Sequence, residues 1–135
     1  MSISEESLFL NEAFYEAFRE RDLEAMDRLW AIDSPVICIH PGWSAITKRE
    51  DIIDSWRGIF ESPESPQIHC RRPQAFHMGD VVSIVCYEEM EGGLLVATNM
   101  FRRCAADLKL IHHQAGTSRP PPRGLGKKSK SATLQ

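Results

Sequence analysis

The stretch Val36-Ile37-Cys38-Ile39-His40-Pro41-Gly42-Trp43 and, three residues on, Thr47-Lys48-Arg49-Glu50-Asp51-Ile52-Ile53-Asp54-Ser55-Trp56 set the reading of this chain. The first part is β-rich and stops at Pro41-Gly42, so a short strand delivers His40 to a turn. Thr47 and Glu50 then stand at capping-box spacing. Beyond them Ile52, Ile53, Trp56, Ile59 and Phe60 form one apolar helical stripe that ends at Ser62-Pro63.

Working outward from this unit, the amino-terminal side reads as a helical hairpin. Ser2 and Glu5 make a capping box, and Leu10, Phe14, Ala17 and Phe18 recur at helical intervals through about Arg21. Asp22 can cap a second helix that carries Leu23, Met26, Leu29 and Trp30 and is closed by Asp33-Ser34-Pro35. On the carboxyl side the period changes to two. Strands are expected at about 67–77, 81–90, 94–104 and 108–115, joined by short turns at Gly79-Asp80, Gly92-Gly93 and Ala105-Ala106-Asp107. Residues 81–86 and 94–101 are apolar at both odd and even positions, which implies that both sheet faces are covered. Helices would cover one face; a second copy of the sheet would cover the other, giving a homodimer.

The 135 residues fit one domain, 42% hydrophobic and 26% charged, and no apolar run reaches the roughly 20 residues that span a bilayer. The boundary falls near Thr117. Residues 1–116 are the domain, and 117–135 read as a disordered basic tail of Pro, Gly, Ser and Lys. Five of the 16 basic side chains lie in that tail and none of the 19 acidic ones, so the body carries a net charge of −8 and would repel nucleic acid. The start, MSISEESLFL, has acids early and no basic region ahead of an apolar run, which points to a cytoplasmic protein. Cys38, Cys70, Cys86 and Cys104 are widely spaced and read as reduced core thiols.

Four motifs carry a resemblance: Ile39-His40-Pro41-Gly42-Trp43, the helix ending in Trp56, Ala97-Thr98-Asn99-Met100-Phe101, and Leu110-Ile111-His112-His113. Over about residues 5–116 the chain resembles the SnoaL-like branch of the nuclear transport factor 2-like superfamily. That resemblance implies an α+β cone, three amino-terminal helices packed on a curved, mainly antiparallel sheet around a hollow. It does not imply one reaction, because the superfamily holds ketosteroid isomerases, polyketide cyclases, dehydratases, transport adaptors and kinase association domains. Asp107-Leu108 and Gln114-Ala115-Gly116 depart from the family pattern around the last strand, and no residue matches the catalytic Asp of the isomerases or cyclases.

In such a cone the candidate pocket is lined by Trp43, Trp56 and Phe60, with Phe18 and Trp30 contributed by the hairpin. His40 is the candidate general acid or base, since its ordinary pKa of about 6.5 lies near working pH; a structural role, hydrogen-bonding the turn and fixing the entry into the helix, is the stronger reading of the residue by itself. Tyr87, Asn99 and one of His112 and His113 would supply polar groups from the strands. Adjacent strand residues face opposite ways, and counting from Leu108 and Leu110 puts His112 with the core set. Glu88, Glu89 and Glu91 read as a solvated acidic edge. No metal site is expected, because His40, His69 and His77 lack a carboxylate or cysteine at ligand spacing. No nucleotide cofactor is expected either: neither Gly-rich phosphate motif occurs in the domain. Two functions compete. One is a small-molecule binding protein or cofactor-free isomerase, lyase or cyclase for a hydrophobic, carbonyl-bearing compound; the other is a non-catalytic homodimeric association domain.

Overall fold

The computed structural model describes residues 1–126. Its elements are α1 (Ile3–Glu20), α2 (Leu23–Leu29), β1 (Ile37–Ile39), α3 (Arg49–Glu61), β2 (His69–Met78), β3 (Val81–Met90), β4 (Gly93–Cys104) and β5 (Asp107–Thr117). The strands form one sheet in the order β1-β5-β4-β3-β2, antiparallel throughout except for β1 against β5. This is the α+β cone, with the helices on one face of the sheet.

The caps explain most of the helix boundaries. The Ser2–Glu5 capping box forms, and the Asp22 carboxylate accepts from the Ala25 N–H at 3.1 Å. Thr47 is no cap, however. Lys48 occupies the N-cap position without a side-chain bond, because Ile46 is still paired with Cys38 and α3 starts one residue later than the capping box requires. Arg49 secures the junction instead. Its guanidinium binds Asp27 at 2.8 Å and donates to the carbonyls of Asp27, Trp30 and Ala31, which are left open where α2 ends.

Trp30 lies just past α2 in a bridge to Leu110 and is fully buried, as are Phe14, Tyr15, Met26, Ile52 and Trp56. These side chains fill the space between helices and sheet. Pro73 can sit inside β2 because the register slips between Arg71 and Gln74, where Arg72 takes a left-handed φ of 53°.

A second slip, between Met100 and Phe101, has a larger consequence. Met100 faces His112 while Phe101 faces Leu110, so Ile111 is the extra residue of a bulge, and Leu110 and Ile111 are both buried. The odd–even count therefore reverses after Leu110. His113, not His112, joins the inner face.

Thr117, placed in the tail by composition, is the last residue of β5, and the chain beyond it continues along the body. Ser118 N–H bonds to the Leu94 carbonyl at 3.0 Å, Pro121 is buried, and the Arg71 and Arg72 guanidinium groups donate to the carbonyls of Gly126 and Gly124. The rest of the expected tail, 127–135, lies outside the described residues. No helix among those described is long and apolar enough to cross a membrane.

Candidate functional site

Between α1, α3 and the inner sheet face lies a cavity of about 500 Å³. Phe18, Trp43, Trp56, Ile59, Ile68, Met90 and Leu95 give it apolar walls, while His40, His113 and Glu88 are its inner polar lining and Glu64 stands at the rim. Arg21 shapes the mouth. As the left-handed C-cap of α1 it reaches across to donate to the carbonyls of Phe60, Ser62 and Ser65, tying down the segment that carries Ser62, Glu64 and Ser65 into the lining.

The expected residues divide into three groups. His40, Trp43, Trp56 and His113 line the cavity. Trp56 is fully buried and packs on both histidine rings, at 4.7 Å from His40 and 5.8 Å from His113; Trp43 is 51% exposed, with its ring 4.7 Å from His40. Phe60 and Asn99 sit behind the wall. Phe60 packs on Phe18 and Trp56, and Asn99 is wholly buried among polar partners. Trp30 also stays in the core, away from the lining.

Tyr87 and His112 belong to the opposite sheet face. Tyr87 pairs with Val96 and lies between inward-facing Cys86 and Glu88, so strand alternation turns it outward; His112 is opposite Met100 and Ile37.

A buried polar chain runs behind the cavity. Tyr15 donates its O–H to Glu88 Oε2 at 2.6 Å and accepts from Asn99 Nδ2 at 3.1 Å. Asn99 Nδ2 also donates to Asn11 Oδ1 at 2.8 Å. The amide oxygen of Asn99 is left as an acceptor, so the His113 contact of 2.5 Å at that oxygen puts the ring proton on Nδ1 and leaves Nε2 bare.

His40 has the other tautomer. Ser55 spends its hydroxyl proton on the Ile52 carbonyl at 2.6 Å and therefore accepts from His40 Nε2 at 2.8 Å. That bond ties the Pro41-Gly42 turn to α3.

Burial sets the charges. It lowers the pKa of His40 to about 4 and that of His113 to about 3, so both rings are neutral near pH 7. Burial pushes the Glu88 carboxyl up to about 7, against the opposing pull of its Tyr15 hydrogen bond, and it holds Tyr15 firmly protonated. Glu88, not His40, is thus the group poised to change charge at neutral pH.

The expectation of a solvated edge fails for Glu88, which is 4% exposed, though Glu89 does lie on the outer side, paired with Arg71 at 2.7 Å, and Glu91 is exposed. A signal was there to be read. Val82, Ile84, Cys86 and Glu88 share one parity, which puts a carboxylate on the apolar side of its strand. Among the described residues no cluster of three or more His, Cys, Asp or Glu side chains is placed to hold a metal.

Comparison with known proteins places this geometry. The model of the SnoaL-like domain family matches residues 8–118. A candidate dehydratase of the NTF2-like family from Streptomyces avermitilis is 30% identical, with 86% of this chain and 96% of that one covered at a TM-score of 0.78. A candidate association domain of calcium/calmodulin-dependent protein kinase type II from Thiobacillus denitrificans is 28% identical, covering 81% and 92% at a TM-score of 0.73. An F-box protein of Arabidopsis thaliana, SKIP8, is 29% identical over 78% of this chain; the match spans 47% of that relative's length.

Proposed function

The chain belongs to the SnoaL-like domain family, and we propose that its cavity binds a small hydrophobic molecule and moves a proton on it without a cofactor, in an isomerase-, lyase- or cyclase-type step. One observation carries this reading: a carboxyl with a pKa of about 7, Glu88, lines an aromatic-walled cavity of about 500 Å³. A group half-protonated at working pH can both take and give a proton. His113, fixed as the Nδ1–H tautomer by Asn99, offers its bare Nε2 as a neutral hydrogen-bond acceptor.

His40 moves from acid or base to a holding role in this proposal. Its Nε2–H is committed to Ser55, and a pKa of about 4 makes it a weak base. The similarity to a candidate dehydratase supports a lyase reaction as the first to assay. A screen of small hydrophobic compounds by thermal shift, followed by turnover assays on wild type and Glu88→Gln, tests the reading. Ligands should stabilise both proteins, with turnover lost in the variant. Equal turnover would remove Glu88 from the chemistry.

A second reading, homodimeric association through the sheet, is favoured by the outer face. Ile37, Val85, Tyr87, Val96 and Met100 lie there half-buried or exposed, with no helix over them among the described residues. We propose that a second copy covers them, which is compatible with a working cavity on the other side. The free state of all four cysteines supports a reducing location such as the cytoplasm.

A further inference from the structure

The cavity's lining is lopsided in charge. Two carboxyl groups, Glu88 within and Glu64 at the rim, belong to it, while no lysine or arginine does. Its two histidines are held neutral by burial. A carboxylate or phosphate ligand would find no cation in the lining to balance it, the Arg21 guanidinium at the mouth being spent on the Phe60, Ser62 and Ser65 carbonyls, and would lie close to Glu88. Such an anion pays its desolvation without return.

Glu88 itself is only half satisfied. Tyr15 binds Oε2, while Oε1 has no hydrogen-bond partner among the described residues, although the side chain is 4% exposed and faces the cavity. The groups packed around it are Tyr15 from α1, Cys70 from β2 and Cys86 from β3, with His40 and His113 elsewhere on the cavity wall; Glu12 adds its charge from α1 near Cys70. None of these is a cation at neutral pH. An acceptor oxygen thus stands unmatched at the end of an aromatic chamber, and aromatic walls favour a positive charge over a negative one.

We propose that the molecule taken by this cavity is a lipophilic amine, bound as its ammonium form, with the nitrogen on Glu88 Oε1 and the carbon frame against Phe18, Trp43 and Trp56. The inference rests on the binding function above and narrows its ligand. It replaces the carbonyl-bearing compound expected from the sequence. Binding a cation would draw Glu88 into its ionised form, so complex formation releases a proton.

Three matched probes test it by calorimetry on the full chain: 2-(aminomethyl)naphthalene, 2-(hydroxymethyl)naphthalene and 2-naphthoate. The amine should bind about 30-fold more tightly than the alcohol, and the carboxylate should bind more weakly than either. Near pH 7, repeats in buffers of different ionisation enthalpy should reveal release of up to about half a proton per amine bound. Glu88→Gln, which keeps an acceptor for Tyr15, should reduce the amine to the affinity of the alcohol and abolish the proton release. Equal affinity of alcohol and amine in wild type would overturn the amine assignment while leaving the hydrophobic cavity in place. Tighter binding of the carboxylate would overturn it as well. If none of the three binds, both the amine assignment and the binding function fall.

Discussion

The two faces of the sheet are made of similar strands and put to different uses. On the inner face, β3, β4 and β5 present Cys86, Glu88, Ala97, Asn99 and His113 to the helices, and the polar members are joined through Tyr15 into one buried chain. On the outer face, the intervening residues mix apolar Val85, Val96 and Met100 with Tyr87, Thr98, His112 and the Arg71–Glu89 ion pair, without such a chain. Burial alone therefore does not mark chemistry in this fold. What distinguishes the inner face is that its polar groups are desolvated and hydrogen-bonded in one chain, which shifts their proton affinities and fixes their tautomers.

The sharpest way to break this contrast is to empty the inner face. Trp56→Ala removes the ring that separates α3 from both histidines and should cost about 3–5 kcal/mol, measured by urea denaturation. A loss under about 1 kcal/mol would mean that the ring is not core.

The charge of the inner face gives the next largest effect. The folded-state pKa of Glu88 is raised from 4.5 to about 7, so the folded protein holds this proton more tightly than the unfolded chain does. Its contribution to stability is complete below pH 4.5 and is lost as pH rises through about 7, a change of about 3 kcal/mol. His40 and His113, with lowered pKa values, act in the other direction: their stability is present above pH 6.5 and lost as pH falls toward about 4 and about 3. Subtracting the denaturation profile of Glu88→Gln from that of wild type isolates the first effect. A difference that stays flat from about pH 4.5 to 8 would show that Glu88 is solvated.

Asn99→Leu should have a smaller effect, about 1–3 kcal/mol, by stripping Tyr15, Asn11 and His113 of a shared partner. It should also speed no exchange elsewhere on the sheet, so hydrogen-exchange mass spectrometry would find loosening confined to the elements it joins, α1, β4 and β5.

The outer face should respond least in stability. Val96→Lys is expected to change monomer stability by about 0.5 kcal/mol or less while halving the mass seen by sedimentation. If wild type already sediments as a monomer, the outer face is not a dimer surface.

The same contrast explains what could be read in the sequence. Elements with a strong local period declared themselves: α1 through its capping box and apolar spacing, α3 through the stripe ending at Phe60, and the strands through their short turns. The turn at Pro41-Gly42 followed from its own residues, and the place of His40 and Trp43 beside Trp56 from the resemblance to the cone fold. His112 and His113 did not follow, because a bulge adds one residue without any local mark and so reverses every later side chain. The chemistry of Tyr87 suggests an inward position, but the parity of Cys86 and Glu88 turns it outward. Glu88 was hidden by its neighbours: beside Glu89 and Glu91 it looked like part of a charged rim, whereas its strand position made it the carboxyl of the cavity.

Everything distinctive about the inner face converges on the protonation of that carboxyl. Its titration can be followed by carbon NMR of the Glu88 side chain in the folded protein between about pH 4 and 9. A midpoint near 7 is expected. A midpoint near the ordinary 4.5 would contradict it, placing Glu88 in water and leaving the cavity without an acid or base that works at neutral pH.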